Sequence, residues 1–160
     1  MTQTMHRLSR VFALVALAAL SAGCGRHFVP ATPPSFVDLD DRYGDTEYRA
    51  TTADGVVLGV REYENDPKGD LGFWTRAIEN RMRQTGGYAL LETRKVLARD
   101  GMTGTQLRFG HDEGKEPHLY VVTIFASDDF VYLLEAGGSK SEMTRLMPQI
   151  DWSVKSFLGE

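Results

Sequence analysis

Cysteine is almost missing from this chain: of 160 residues, only Cys24 is a cysteine. A disulfide within the chain is therefore excluded, and a folded domain has to be stabilised by its apolar core. The chain is long enough to bury such a core without a metal or a disulfide.

Basic residues are in deficit, with 18 Lys and Arg against 22 Asp and Glu and a net charge of −4. Nucleic-acid binding needs clustered Lys and Arg, so this balance argues against a nucleic-acid partner. It also argues against an electrostatic contact between anionic lipid and a polybasic segment.

Catalytic motifs are also missing. The sequence contains no Gly-x-Ser-x-Gly elbow for a serine nucleophile. The stretch from Gly101 to Gly110 lacks the spacing and the lysine of a phosphate-binding loop. We therefore predict a protein that is not an enzyme and that binds no cofactor.

The apolar run from Val11 to Leu20 is too short for a transmembrane helix, which needs about 20 apolar residues. Arg7 and Arg10 precede the run without an acidic neighbour, and small residues follow it. A basic start, an apolar core of this length and a small-residue exit predict a secretory signal peptide over residues 1–23. The alternative, a buried N-terminal helix, would need a polar face that this run lacks.

The end of the run resembles the lipobox of bacterial lipoproteins, in which small residues precede a cysteine. Ala22 and Gly23 fit that pattern before Cys24, but the leucine usual three places before the cysteine stands one place earlier, at Leu20. The resemblance implies that Cys24 becomes the acylated first residue of the mature protein and anchors it in a membrane. Gly25 stands where inner-membrane lipoproteins of enteric bacteria tend to have Asp. The absence of Asp at this position implies anchoring in the outer membrane of the cell envelope, with the domain facing the periplasm.

Composition divides the rest of the chain into a tether and one domain. Residues 24–45 contain Pro30, Pro33 and Pro34, and proline favours extended chain. We expect this tether to hold the domain clear of the membrane, while its apolar residues fit either an exposed or a packed position. Residues 46–160 have the length of a single domain.

Alternating hydrophobicity and turn residues predict six strands, over residues 46–52, 56–64, 88–98, 102–109, 119–126 and 130–136. Asp54-Gly55 and Asp100-Gly101 predict tight hairpins, so their flanking strands are expected to be antiparallel. The strand over 119–126 is apolar on both faces, which predicts a layer above and a layer below the sheet.

Two helices complete the pattern, the first from Asp70 to about Thr85 and the second from Ser139 onwards. Gly137-Gly138 is expected to end the last strand, and Pro148 is expected to kink or break the second helix. Trp74 and Trp152 lie among the helical stripes and are expected in the core. The order ββαββββα predicts an α+β fold, an antiparallel sheet of about six strands with helices on both faces (an α/β/α sandwich).

This order resembles the PsbP-like and DcrB-like superfamily over roughly Tyr48 to Leu158. The segments that carry the resemblance are the first hairpin, Gly86-Gly87-Tyr88, the Asp100-Gly101 hairpin, Tyr120 to Phe125, Val131-Tyr132-Leu133 and Ser156-Phe157. Members include an extrinsic subunit of photosystem II, a nuclear-transport factor that binds a small GTPase, and envelope lipoproteins. The resemblance implies an accessory or docking protein and assigns no functional residue.

One predicted turn gathers side chains of the kind that bind metals. They are His111, Asp112, Glu113, Glu116 and His118. Imidazole and carboxylate groups bind zinc and similar ions, but this spacing matches no established ligand pattern. We therefore expect a solvated turn, with a metal site as the alternative.

Two functions remain open. The first is a non-enzymatic docking module, anchored by lipid and bound to another envelope protein, which predicts an exposed apolar or aromatic patch. The second is a small-ligand carrier or enzyme, which predicts a pocket between sheet and helix with convergent polar groups and shifted pKa values.

Overall fold

The computed structural model describes residues 25–39, 47–113 and 116–160. The predicted signal peptide, Cys24 and residues 40–45 of the predicted tether lie outside them. Within the described residues, neither helix has the length and apolar character that crossing a membrane requires.

The elements are, in chain order, β1 (Phe28–Val29), β2 (Val37–Leu39), β3 (Tyr48–Thr51), β4 (Val57–Glu64), α1 (Leu71–Gln84), β5 (Ala89–Leu97), β6 (Thr103–Glu113), β7 (Glu116–Ala126), β8 (Phe130–Ser139), α2 (Lys140–Ser156) and β9 (Leu158–Gly159). Seven strands form one antiparallel sheet in the order β2-β3-β4-β8-β7-β6-β5, and β1 pairs with β9. This confirms the predicted α+β fold, with short β2 added to the six expected strands.

The two faces of the sheet carry separate cores, because the strands at its centre are apolar on both sides. Residues 121–125 of β7 are all buried, which confirms the prediction for this strand. Helix α2 covers one face with five buried residues, among them Met143, Leu146 and Ile150. Helix α1 covers part of the other face and has no fully buried residue.

The prediction that Gly137-Gly138 ends the last strand was wrong, and of the kink or break expected at Pro148 the break does not occur. Strand β8 runs through Gly137 and Gly138 as far as Ser139. A Cβ at Gly137 would lie 2.8 Å from the Tyr120 ring, so this glycine makes room for a neighbouring side chain and does not end the strand. Helix α2 is continuous through Pro148, because the buried residues on both sides of it pack on one surface.

The described part of the predicted tether is folded onto the domain. Phe28 and Phe36 are buried, and β1 and β2 each pair with another strand. The Phe28 ring packs against Tyr132 and Phe157. Burying a phenylalanine side chain is worth about 1.5–3 kcal/mol, which favours this arrangement over an extended, solvated spacer.

The two ends of the sheet are formed by different loops and turns, and we call them the exit end and the hairpin end. The exit end contains the turn at 127–129, the loop at 65–70, the turn at 98–101 and the pair β1–β9. The hairpin end, opposite, contains the β6–β7 hairpin and the start of α2. Because α1 follows the loop at 65–70, it begins at the exit end and runs towards the hairpin end.

Candidate functional site

A cavity of about 300 Å³ lies between α1 and the sheet. Helix α1 packs mainly on β5, β6 and β7, so the neighbouring surface of β4 and β8 is left partly open. We call this cavity the α1 groove; six of the residues that line it are Arg61, Tyr63, Trp74, Arg81, Tyr120 and Glu135.

The floor of the α1 groove is a polar cluster drawn from three adjacent strands. Arg61 on β4 lies with its Nε 2.9 Å from an oxygen of Glu135 on β8. Tyr120 on β7 donates its hydroxyl hydrogen to the other Glu135 oxygen over 2.8 Å. The Glu135 side chain is only 15 % exposed. Because a buried charge is costly unless it is paired, Arg61 and Tyr120 compensate the charge of Glu135.

The tyrosine in this cluster is fixed as a hydrogen-bond donor. Burial raises the pKa of Tyr120 well above its ordinary value, and the charge of Glu135 raises it further. The hydroxyl therefore stays protonated at neutral pH. It orients Glu135 and does not act as a base.

Aromatic residues form the rim of the groove at its exit end. Trp74 donates its indole N–H to Oδ1 of Asn65 over 2.9 Å, which fixes the ring at the start of α1. Phe73 packs edge-on against it at 5.1 Å between ring centroids and is 46 % exposed. Tyr63 is also exposed there. The structure thus shows an exposed aromatic patch beside a cavity.

The outer side of α1 is basic. Arg76 and Arg83 are exposed along it, and Arg81 is exposed where the helix borders the groove. Arg83 pairs with Glu79 one turn earlier, whereas within the described residues Arg81 has no acidic partner. Tyrosine, tryptophan, methionine and arginine are the residues enriched in protein interfaces, so the groove and α1 together have the composition of a contact surface.

A second hollow of about 230 Å³ adjoins the α1 groove and shares the Arg61, Tyr120 and Glu135 cluster with it. Its other walls include Arg49, Gly59 and Val57 on β3 and β4. The two hollows therefore make one depression across the sheet, with the polar cluster at its middle.

The predicted metal turn is mostly strand, because β6 continues to Glu113 and β7 begins at Glu116. His111 faces His118 across the two strands, and the His111 ring packs on Tyr88 with centroids 4.8 Å apart. Nδ1 of His118 lies 3.1 Å from the Glu116 carbonyl oxygen, and Asp112 is exposed. The side chain of Glu113 is outside the described part of the chain, as are residues 114–115.

No set of three or more His, Cys, Asp or Glu side chains converges in the part of the chain that the structure describes. The metal site at the β6–β7 hairpin was the alternative to a solvated turn, and no observation on the described residues supports it. Of the two tryptophans expected in the core, Trp74 is half-buried at the groove, and Trp152 is 45 % exposed on α2. The prediction for Trp152 was wrong because the helix turns this ring away from the sheet.

Neither a protein-family model nor any curated protein sequence matches the chain. Solved structures do. LpqN of Mycobacterium tuberculosis, described as involved in cell envelope biogenesis, has a TM-score of 0.67 at 10 % identity, covering 86 % of each chain. Cyanobacterial PsbP of Synechocystis sp. has a TM-score of 0.57 at 10 % identity, covering 84 % of this chain and 87 % of that one.

The Ran-binding protein Mog1p of Saccharomyces cerevisiae is also similar, with a TM-score of 0.55 at 14 % identity over 83 % of this chain and 90 % of that one. The domain has the fold of PsbP and Mog1p. This confirms the fold part of the resemblance seen in the sequence. At such identities the likeness concerns the fold alone.

Sequence reasoning missed the floor of the groove. Arg61, Tyr120 and Glu135 are 15 or more positions apart, and they meet only because β8 lies between β4 and β7. The alternation of side chains along β4 and β8 does carry a signal, because Arg61 and Glu135 alternate with the apolar residues that face α2. This alternation shows that both residues face away from the α2 core, but it does not show that they contact each other.

Proposed function

We propose that this chain is a docking protein of the bacterial cell envelope, anchored through acylated Cys24 in the outer membrane and without enzymatic activity. The observation that carries the docking role is the α1 groove. It places exposed Tyr63 and Phe73 beside a cavity and an arginine-bearing helix. Contact surfaces of this composition concentrate binding energy in a few aromatic and arginine side chains.

The polar cluster supports binding over catalysis. Each oxygen of Glu135 contacts a neighbouring side chain, one Arg61 and the other the Tyr120 hydroxyl, so the carboxylate is held within the protein. The raised pKa of Tyr120 keeps its hydroxyl protonated. These groups stabilise one another and shape a surface.

Two structural relatives have roles of the proposed kind. Mog1p is named as a Ran-binding protein, and LpqN is described as involved in cell envelope biogenesis. Both share little sequence with this chain, at 14 % and 10 % identity. They support the proposal by analogy of fold, while the aromatic rim supports it from this chain's own residues.

Photo-crosslinking in intact cells tests the docking role. A photoreactive phenylalanine replaces Phe73 in one variant and Trp152 in a second; these side chains are 46 % and 45 % exposed and lie on opposite layers. We expect a reproducible envelope-protein adduct from position 73 and none from position 152. The same adducts from both positions, or none from position 73, would refute docking at the α1 groove.

Ligand carriage is the second candidate, because the cavity and its convergent polar groups were the features expected of a carrier. The volume of about 300 Å³ suits a small molecule at the lower end of ordinary pocket sizes. Native mass spectrometry of the protein from cells distinguishes the two functions. A stoichiometric bound molecule that is lost on Ile78→Trp, which fills the cavity, would favour carriage over docking.

A further inference from the structure

The position of the N-terminal segment determines how an anchored domain would meet its membrane. His27 is held through its backbone and its side chain. Its N–H donates to one Glu62 oxygen and its Nδ1 contacts the other, both at 2.7 Å. Its carbonyl oxygen accepts from the Tyr132 hydroxyl at 3.1 Å and from the Glu160 N–H at 3.0 Å.

The next residue secures the segment in the core. Phe28 is 4 % exposed and packs against Tyr132 and Phe157. Val29 then pairs with Leu158 in the β1–β9 ladder. The folded domain therefore begins no later than residue 27.

Only Gly25 and Arg26 stand between Cys24 and His27. An extended chain spans at most about 3.6 Å per residue, so the Cα of Cys24 lies within about 11 Å of the Cα of His27. We propose that the exit end of the sheet rests on the membrane, with the bilayer surface as its partner. This inference rests on the proposed acylation of Cys24, and it replaces the long spacer expected from the sequence.

Exposed apolar side chains support this orientation. Val29 and Leu97 are 59 and 57 % exposed and lie outside the aromatic rim of the groove, in β1 and at the end of β5. The exit end thus offers apolar contacts where the anchor would hold it.

Charge excludes an electrostatic basis for this contact. The turns and the loop of the exit end carry five acidic residues and two basic ones, which are Asp66, Asp70, Asp100, Asp128 and Asp129 with Lys68 and Arg99. Anionic lipid would be repelled by this surface and not attracted. The bilayer contact therefore depends on the acyl anchor and on apolar side chains.

The orientation places the β6–β7 hairpin far from the membrane. Strand β7 has 11 residues, and a rise of about 3.4 Å per residue separates the two ends of the sheet by roughly 34 Å. The aromatic rim of the α1 groove lies at the exit end, so a partner bound there would itself sit at the membrane surface.

Energy transfer to the membrane tests this orientation. Asp129→Cys and Asp112→Cys place a fluorophore at the exit end and at the hairpin end, and both original side chains are exposed. Cys24 is the only other cysteine, and its acylated sulfur does not react with the label. The lipidated protein is reconstituted in vesicles of phosphatidylethanolamine and phosphatidylglycerol that contain an acceptor lipid labelled at the headgroup.

We expect transfer from position 129 to exceed transfer from position 112 by roughly twofold or more, since about 34 Å separates the ends. Inserting about 15 Gly and Ser residues after Gly25 should reduce the difference, because such a linker spans about 20 Å and leaves only the apolar side chains to hold the orientation. Equal or reversed transfer in protein that sediments with the vesicles would overturn the orientation and leave the anchor intact. Protein that does not sediment with the vesicles would refute the anchor, and with it both proposals.

Discussion

At the scale of single residues, Glu135 depends on two partners from different strands. Tyr120 supplies a hydroxyl hydrogen bond of 2.8 Å and Arg61 supplies a charge at 2.9 Å. A hydrogen bond to a buried charged group is worth more than one between neutral groups, because the alternative is an uncompensated charge.

Tyr120→Phe tests this arrangement without changing the shape of the groove. We expect the free energy of unfolding, measured in urea, to fall by about 1–2 kcal/mol. Tyr88→Phe is the matched control, because the Tyr88 hydroxyl forms no hydrogen bond within the described residues and the ring lines the same groove. Equal losses in the two variants would show that the Tyr120 hydroxyl contributes nothing particular to stability.

His27 makes the stability of the exit end depend on pH. Its hydrogen bond with Glu62, together with the charge of Glu62, raises the pKa of His27 above its ordinary value. A raised pKa means that His27 binds its proton more tightly in the folded protein than in the unfolded chain, so protonation stabilises the fold. The resulting stabilisation is complete below the unfolded pKa of about 6.5 and is lost as pH rises through the folded value.

His27→Gln isolates that contribution. We expect the unfolding free energy of the natural chain to exceed that of the variant at pH 5.5, and the excess to shrink as pH rises to 8.5. Urea unfolding of both proteins across this range measures the difference and cancels the other titrating groups. An excess that stays constant, or that grows with pH, would contradict the assigned role of Glu62.

At the scale of elements, the two helices are held very differently. Helix α2 buries five side chains against the sheet, whereas α1 buries none completely. Few buried apolar contacts lower the free energy of local opening. Helix α1, which forms one wall of the groove, is therefore expected to open more readily than α2.

Hydrogen exchange measures this difference, and we expect the amides of α1 to exchange faster than those of α2. Asp70→Ala should accelerate α1 further, because Asp70 accepts the Phe73 N–H at 2.6 Å, and loss of such a cap costs about 1 kcal/mol. Ser139→Ala removes the corresponding cap of α2 and should leave α1 exchange unchanged. Slower exchange in α1 than in α2 would contradict this account of the groove wall.

The sequence predicted the elements whose signals are local. Asp70 caps the first helix as expected, and the Asp54-Gly55 and Asp100-Gly101 turns have glycines with positive φ. Where a distant contact decides the outcome, the prediction was wrong for Gly137 and the sequence left the position of Phe28 open. Gly137 remains in a strand because Tyr120 lies over it, and Phe28 packs in the core because Tyr132 and Phe157 leave a place for it.

The candidate site was predictable only as a location. The notion of a pocket between sheet and helix followed from the expected layers, but its residues did not. The sequence drew attention to the β6–β7 hairpin, where polar side chains are adjacent along the chain. The polar cluster of the groove depends instead on the strand order β4-β8-β7, which local patterns do not determine.

At the scale of the whole molecule, anchor, exit end and groove form one arrangement. An acyl group on Cys24 would hold the exit end at the bilayer, and the aromatic rim of the groove lies at that same end. Docking would then take place beside the membrane, and the β6–β7 hairpin would extend away from it. Both proposals depend on the modification of Cys24.

The intact mass of the protein extracted from membranes tests that modification most directly. We predict a chain of residues 24–160 that carries the added mass of acyl groups on Cys24, and a Cys24→Ser variant that lacks this mass and leaves the membrane fraction. A chain that retains residues 1–23 with an unmodified Cys24 would contradict the account at its starting point.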